Sequence, residues 1–144
     1  MVKIATFAKP ETVTINTSNL LYKSTDLNIM TIDNKFSAAI IETMENHLAK
    51  KRPPVEIRAE LDLGYEISGQ SVVLFEIRPV WNDPSKIQHQ PYAKATFVAK
   101  DNSWKVYWIR ANLKWYPYEP KPKVKKLSDF LKLVEEDKYA SFKG

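Results

Sequence analysis

The chain contains no cysteine. That removes disulfides, thiolate nucleophiles and every cysteine-ligated zinc site at once. Only three glycines occur, Gly64, Gly69 and Gly144, so no glycine-rich loop can cradle a nucleotide phosphate. There is also no Gly-x-Ser-x-Gly nucleophile elbow. The two histidines, His47 and His89, have no partners at metal-ligand spacing. No segment approaches the roughly 20 apolar residues of a membrane span, and the apolar run after Met1 is too short for a signal peptide. These absences lead us to expect a soluble cytoplasmic protein with no cofactor, no bound metal, no catalytic residues and no membrane partner.

What remains is distributed unevenly. The formal net charge is +5, yet residues 86–126 alone carry ten cationic and two anionic side chains, a net of +8. The rest of the chain is therefore slightly acidic. All four tryptophans, Trp81, Trp104, Trp108 and Trp115, fall in or beside this basic stretch, with Tyr92, Tyr107, Tyr116 and Tyr118. A basic, aromatic segment on an otherwise acidic chain points to an anionic partner more strongly than the net charge does.

The hydrophobic pattern predicts a helix from about Asn34 to Lys51, because Phe36, Ile40, Met44 and Leu48 recur every four residues. Asp33 or Asn34 can cap it; Lys50, Lys51 and Arg52 suit the negative end of its dipole, and Pro53-Pro54 ends it. Residues 55–60 fit either an extended or a short helical segment. Strands are expected from Leu61 to Ile67 and from Ser71 to Trp81, joined by a tight turn at Ser68-Gly69-Gln70 and terminated by Pro79 and Pro84. A polar loop carrying His89 follows. Tyr92 to Lys100 and Trp104 to Leu113 read as a hairpin about Asp101-Asn102-Ser103. Residues 116–126, with three prolines and four lysines, read as an extended solvated connector, and the lysines of 121–126 would clamp a nucleic-acid backbone if the sheet binds one. A last helix is expected from about Ser128 to Asp137, capped by Ser128, with Phe130, Leu131 and Val134 buried. Thr12–Asn16 and Ile29–Ile32 are weaker strand candidates.

The expected architecture is α+β: an antiparallel β-sheet of about four to five strands with the two α-helices packed on one face. Residues 1–34 form an N-terminal extension, and residues 35–144 a single domain. In the hairpin, one register pairs Tyr92 with Asn112, Lys94 with Arg110, Thr96 with Trp108 and Val98 with Val106. The other face then holds Ala93, Ala95, Phe97, Tyr107, Ile109 and Ala111 as core. A slip by one residue mixes the faces.

On that register, Arg78, Trp81, Tyr92, Lys94, Trp104, Trp108, Arg110, Lys114 and Trp115 form a candidate ligand-binding face. Trp104, Trp108 and Trp115 stack on bases, and the cations meet phosphates. The competing explanation is architectural, since tryptophan favours strands and arginine stacks on it without any ligand. A second constellation is acidic: Glu45, Asp62 and Glu76-Ile77-Arg78, with Lys94 nearby. Its order resembles the metal-binding carboxylates of restriction-enzyme-like nucleases. However, Arg78 stands where that chemistry wants lysine, and arginine stays protonated.

Several strings occur in the order seen in a bacterial family known only as domain of unknown function 3024. They are Lys-Arg-Pro-Pro (51–54), Leu-Asp-Leu-Gly-Tyr (61–65), Phe-Glu-Ile-Arg-Pro-Val-Trp (75–81), Ala-Lys (93–94), Trp-Lys-Val-Tyr-Trp-Ile-Arg (104–110) and Lys-Trp-Tyr-Pro-Tyr-Glu-Pro (114–120). The resemblance covers residues from about 36 to the end and implies no activity. Three readings stay open: a non-enzymatic module binding nucleic acid or another polyanion, a protein-interaction module forming a homodimer or larger homo-oligomer, and a Mg-dependent nuclease.

Overall fold

A computed structural model describes residues 2–6 and 34–143. The strand candidates at 12–16 and 29–32, and the capping candidate Asp33, lie outside the described residues. Helix α1 (Asn34–Lys51) follows the four-residue apolar spacing, and Ile40, Met44 and Leu48 are fully buried. After Pro53-Pro54 the chain makes one 3-10 turn, Val55–Ile57, which settles the ambiguous segment.

The strands are β1 (Val2–Thr6), β2 (Asp62–Ser68), β3 (Ser71–Val80), β4 (Asp83–Val98), β5 (Ser103–Ile109), β6 (Trp115–Pro117) and β7 (Lys123–Val124), followed by helix α2 (Leu127–Glu136). They form one sheet in the order β1-β2-β3-β4-β5-β6, with β7 also paired to β5. Every pairing is antiparallel. Gly69 supplies the positive φ of +59° that the β2–β3 turn requires.

Four expectations are corrected here. Among the described residues the sheet has seven strands rather than four or five. Two of the extra strands lie in the proline-rich stretch, which is strapped along β5 rather than solvated. Tyr118 N–H donates to the Val106 carbonyl and Val106 N–H to the Pro122 carbonyl, both at 2.9 Å, and Tyr118 and Val124 are buried. Pro84 and His89 do not lie in a loop, because β4 runs unbroken through them for 16 residues. Proline is tolerated there because the distal part of β4 has β3 on only one side in the described pairings. Helix α2 begins one residue early, with Lys126 at its N-cap and no side-chain cap, so Ser128 sits inside the first turn.

The fourth correction is the hairpin register. Lys94 lies opposite Tyr107, Ala93 opposite Trp108, Ala95 opposite Val106, and Phe97 opposite Trp104. The pairing differs from the expected one by three residues, an odd number, so the β5 side chains exchange faces. The turn is the cause. It occupies residues 99–102, with Asn102 at φ 48°, and β5 therefore starts at Ser103. Ala93 and Ala95 are fully buried as expected, but their cross-strand neighbours are Trp108 and Val106 rather than Ala111 and Ile109. Small residues opposite large ones fill the layer.

One buried cluster unites the stripe of α1, the stripe Leu127, Phe130, Leu131 and Val134 of α2, and alternate strand residues from β2 to β5. We call the side of the sheet carrying Leu63, Tyr65, Ile67, Val72, Leu74, Ala93, Ala95, Trp104 and Val106 the core face, and the other the outer face. Tyr65 donates its hydroxyl to Glu45 of α1 at 2.8 Å, and its burial pushes the phenol well above its usual titration range. The Asp137 carboxylate accepts the backbone N–H groups of Phe142 and Lys143 at 3.0 and 2.9 Å, which brings Phe142 against Tyr118.

Candidate functional site

The nine residues expected to share one face are distributed over both faces and one end of the sheet. Trp104 is 3% exposed and packs in the core against Phe36 and Phe97. Tyr92 is also buried, because an irregularity between Leu74 and Phe75 leaves it as an extra residue in β4 and turns it inward. Neither ring is open to a base, which corrects both assignments. Trp81 occupies the two-residue turn between Val80 and Asp83 at the tip of the long β3–β4 hairpin and is 89% exposed. Arg78, on the same hairpin, is ion-paired with Glu76 at 3.0 Å. Lys114 is exposed beside the β5–β6 turn.

The other residues form two cation–aromatic clusters on opposite faces. On the core face, the Arg110 guanidinium lies 5.0 Å from the Trp108 ring and 4.3 Å from Tyr116. The β5–β6 pairing sets those two rings side by side. Asn112 Nδ2 donates to the Tyr116 hydroxyl at 2.8 Å. On the outer face, Lys94 Nζ sits 4.8 Å from the Tyr107 ring and 4.9 Å from Trp115. Partial burial holds this ammonium below the usual lysine range. Both cations thus already have partners, and such contacts are worth about 0.5–2 kcal/mol without a ligand. Arg110 and Lys94 therefore brace the sheet, although Tyr107, Trp108, Trp115 and Tyr116 keep part of their surfaces open.

The strongest basic feature lies at the other end of β5, among residues that sequence reasoning had treated as linker. Lys105 and Lys123 stand directly opposite one another on β5 and β7, both exposed. Like charges at paired positions repel. Asp101 offsets part of that repulsion, its carboxylate accepting from Lys123 Nζ at 2.7 Å. Lys123, Lys105 and Lys125 together hold Asp101 below the usual carboxylate range. Lys100, Lys121, Lys125 and Lys126 add exposed charge around the pair. Lys121, Lys123 and Lys125 belonged to the expected connector, where their spacing was visible. That β7 would set one of them against Lys105 was not visible, since it depends on a two-residue strand.

Along the outer face of β5, Lys105 is followed two positions later by Tyr107, with Lys94 and Trp115 beside it. Cations and partly open aromatic rings therefore adjoin on one strip of strand. The acidic constellation does not converge. Asp62 is held by Arg52 in two contacts of 2.9 Å, Glu45 by Tyr65, and Glu76 by Arg78. Among the described residues, no group of three or more His, Asp or Glu side chains is placed to hold a metal ion. His89, now on a strand, stacks on Phe75 with ring centroids 4.4 Å apart. Among the described residues, no helix is long and apolar enough to cross a membrane.

No curated protein matches the chain, and no solved structure does. A family model matches residues 33–144, the span that contains both described helices, six of the seven described strands, both cation–aromatic clusters and the lysine array. The chain belongs to the family described as Domain of unknown function (DUF3024).

Proposed function

We propose that the chain is a non-enzymatic module that binds a flexible polyanion, single-stranded nucleic acid foremost, along the outer face of β5. The observation carrying this reading is the Lys105–Lys123 pair, exposed and directly opposed, which a phosphate between the two ammonium groups would relieve. Tyr107 and Trp115, farther along the same strip, offer ring surface for bases. In this reading α1 and α2 together cover the core face, residues 35–144 form the binding domain, and residues 1–34 are an extension of it.

The test is a fluorescence-anisotropy titration with a labelled single-stranded oligonucleotide at about 50 and about 200 mM salt, the range over which several phosphate contacts produce large losses of affinity. The double substitution Lys105→Glu/Lys123→Glu is expected to weaken binding at least tenfold at the lower salt. It should also flatten the log–log salt slope by about 1.4, or about 0.7 for each lost contact with a single strand. Binding that the reversal leaves unaltered removes the reading.

A second reading rests on a different observation. Residues 76–90 of the β3–β4 hairpin balance two anionic against two cationic side chains, yet they expose Trp81 and Ile87. An arm with no net charge and an open tryptophan at its tip suits a protein contact better than a phosphate backbone. If this chain self-associates through the arm, light scattering at high concentration shows an oligomer and Trp81→Ala returns it to monomer. A wild-type monomer at the same concentration sinks the self-association form.

A further inference from the structure

Beside the lysine pair, a cleft of about 600 Å³ separates the β5–β7 edge from helix α2. Asp101, Ser103, Lys121, Lys123, Lys125 and Lys132 supply most of its polar lining. Ser103, the first residue of β5, is 4% exposed, and its Oγ has no hydrogen-bond partner in the described structure. A buried hydroxyl is ordinarily satisfied by the backbone, a side chain or an ordered molecule. This one is closed off from solvent, in a residue that lines a cleft rich in cations.

The charges of the cleft divide by side. On α2, Asp129, Lys132 and Glu136 follow one another at intervals of three and four residues, the spacing at which helical charges offset each other. Asp129 also lies in the first turn, where the helix dipole favours an anion. On the strand side, Asp101 is already engaged by Lys123. That leaves Lys121 and Lys125 as surplus cations on the strand side of the cleft that Ser103 also lines. On the strand wall, where Asp101 is already engaged, a donor hydroxyl with two ammonium groups is a donor set for an oxyanion, and the carboxylates of Asp129 and Glu136 lie on the α2 wall.

We infer that this cleft is the seat of a single phosphate group, with Ser103 Oγ–H donating to it and Lys121 and Lys125 neutralising it. The inference rests on the polyanion reading and deepens it. Lys105 and Lys123 act on the chain of phosphates as screened surface charge, whereas the cleft fixes one phosphate in register through a short directional bond. Binding at the cleft therefore persists at an ionic strength that weakens the surface contacts.

The test is a two-dimensional ¹⁵N–¹H NMR titration of the full chain with inorganic phosphate and with pyrophosphate, ionic strength being held constant with sodium chloride. Saturable shifts are expected at the backbone amides of Ser103 and Lys125. Ser103→Ala should weaken the apparent Kd about tenfold or more, the range for a hydrogen bond to a charged group. Ser103→Ala removes a hydroxyl that makes no bond in the free protein, so its melting temperature should not fall. Lys125→Gln is the second variant, with a several-fold loss expected. An unchanged Kd in Ser103→Ala, or weak linear shifts spread over all the lysine-bearing segments, overturns the seat. Oligonucleotide anisotropy separates the two claims. If the polymer binds wild type and Ser103→Ala equally, the inference falls and the polyanion reading stands. If phosphate saturates at Ser103 while no oligonucleotide binds, the reading falls and the seat stands.

Discussion

Trp104→Ala is expected to destabilise the fold by about 3–5 kcal/mol, the range for removing a large buried aromatic side chain. It should leave the oligonucleotide affinity of the folded fraction unchanged. The size of the effect follows from where the ring sits. Trp104 packs against Phe36 of α1 with centroids 6.0 Å apart and against Phe97 at 5.3 Å, while Phe36 and Phe97 meet at 4.7 Å. Alanine would remove the centre of this three-ring contact between helix and sheet. The β4 residue directly opposite is Phe97, and the next one along the core face is only Ala95, so the space can be refilled only in part. For a domain whose total stability is about 5–15 kcal/mol, such a loss is about a fifth of the whole or more. Urea unfolding followed by far-UV circular dichroism reads it as a midpoint lowered by at least about 1 M. A loss of less than about 1 kcal/mol, accompanied by loss of oligonucleotide binding, would instead return Trp104 to a stacking role.

Trp104 also marks where sequence reasoning stopped. The helix period of α1 was legible to the residue, since Phe36, Ile40, Met44 and Leu48 leave little choice of face and Pro53-Pro54 permits no continuation. Chain direction and antiparallel pairing of β2, β3, β4 and β5 were equally legible from turns and alternation. Register was not. Along β5 the sequence Trp-Lys-Val-Tyr-Trp-Ile places a large apolar or aromatic residue on either face, so alternation alone cannot tell core from surface. The decision fell to the turn, where Asn102 accepts a left-handed backbone and lengthens the connection to four residues. A three-residue error then moved Trp104 from a supposed binding face into the core.

The placement of the lysine array, though not its charge, was missed for a related reason. A proline at every second or third position of 117–122 argues for a free extended chain. Extended chain is also what a neighbouring strand can capture. The backbone of Tyr118 and Pro122 pairs with Val106, so the prolines shape a strap instead of a linker. Once strapped, Lys123 must face Lys105. Charge segregation was visible in composition, but the face that carries it was fixed only by hydrogen bonds among residues far apart in sequence.

Arg52→Ala is the substitution expected to show how the first two recognisable strings, 51–54 and 61–65, are joined, at a cost of about 3–5 kcal/mol. Arg52 closes α1, its N–H bonding to the Leu48 carbonyl, and its guanidinium grips Asp62 at the start of β2 through Nε and Nη2, both at 2.9 Å. The two side chains are 11% and 5% exposed. Asp62 further accepts the Leu63 N–H at 2.8 Å, and Arg58 Nε donates to the Pro53 carbonyl. The link spanning Pro53-Pro54 therefore runs through a desolvated bidentate pair. Such a pair adds little beyond a well-packed apolar contact, because desolvation consumes most of its Coulomb energy. Removing one member is different: a buried carboxylate is left without its counter-charge. The two expectations together give a non-additive signature. In urea unfolding, Arg52→Ala and Asp62→Ala should each cost several kcal/mol, whereas Arg52→Met/Asp62→Leu, which fills the volume with apolar atoms, should cost less than either single change. Costs that simply add would mean that the pair is not coupled, and that the Pro53-Pro54 corner holds α1 against β2 without it.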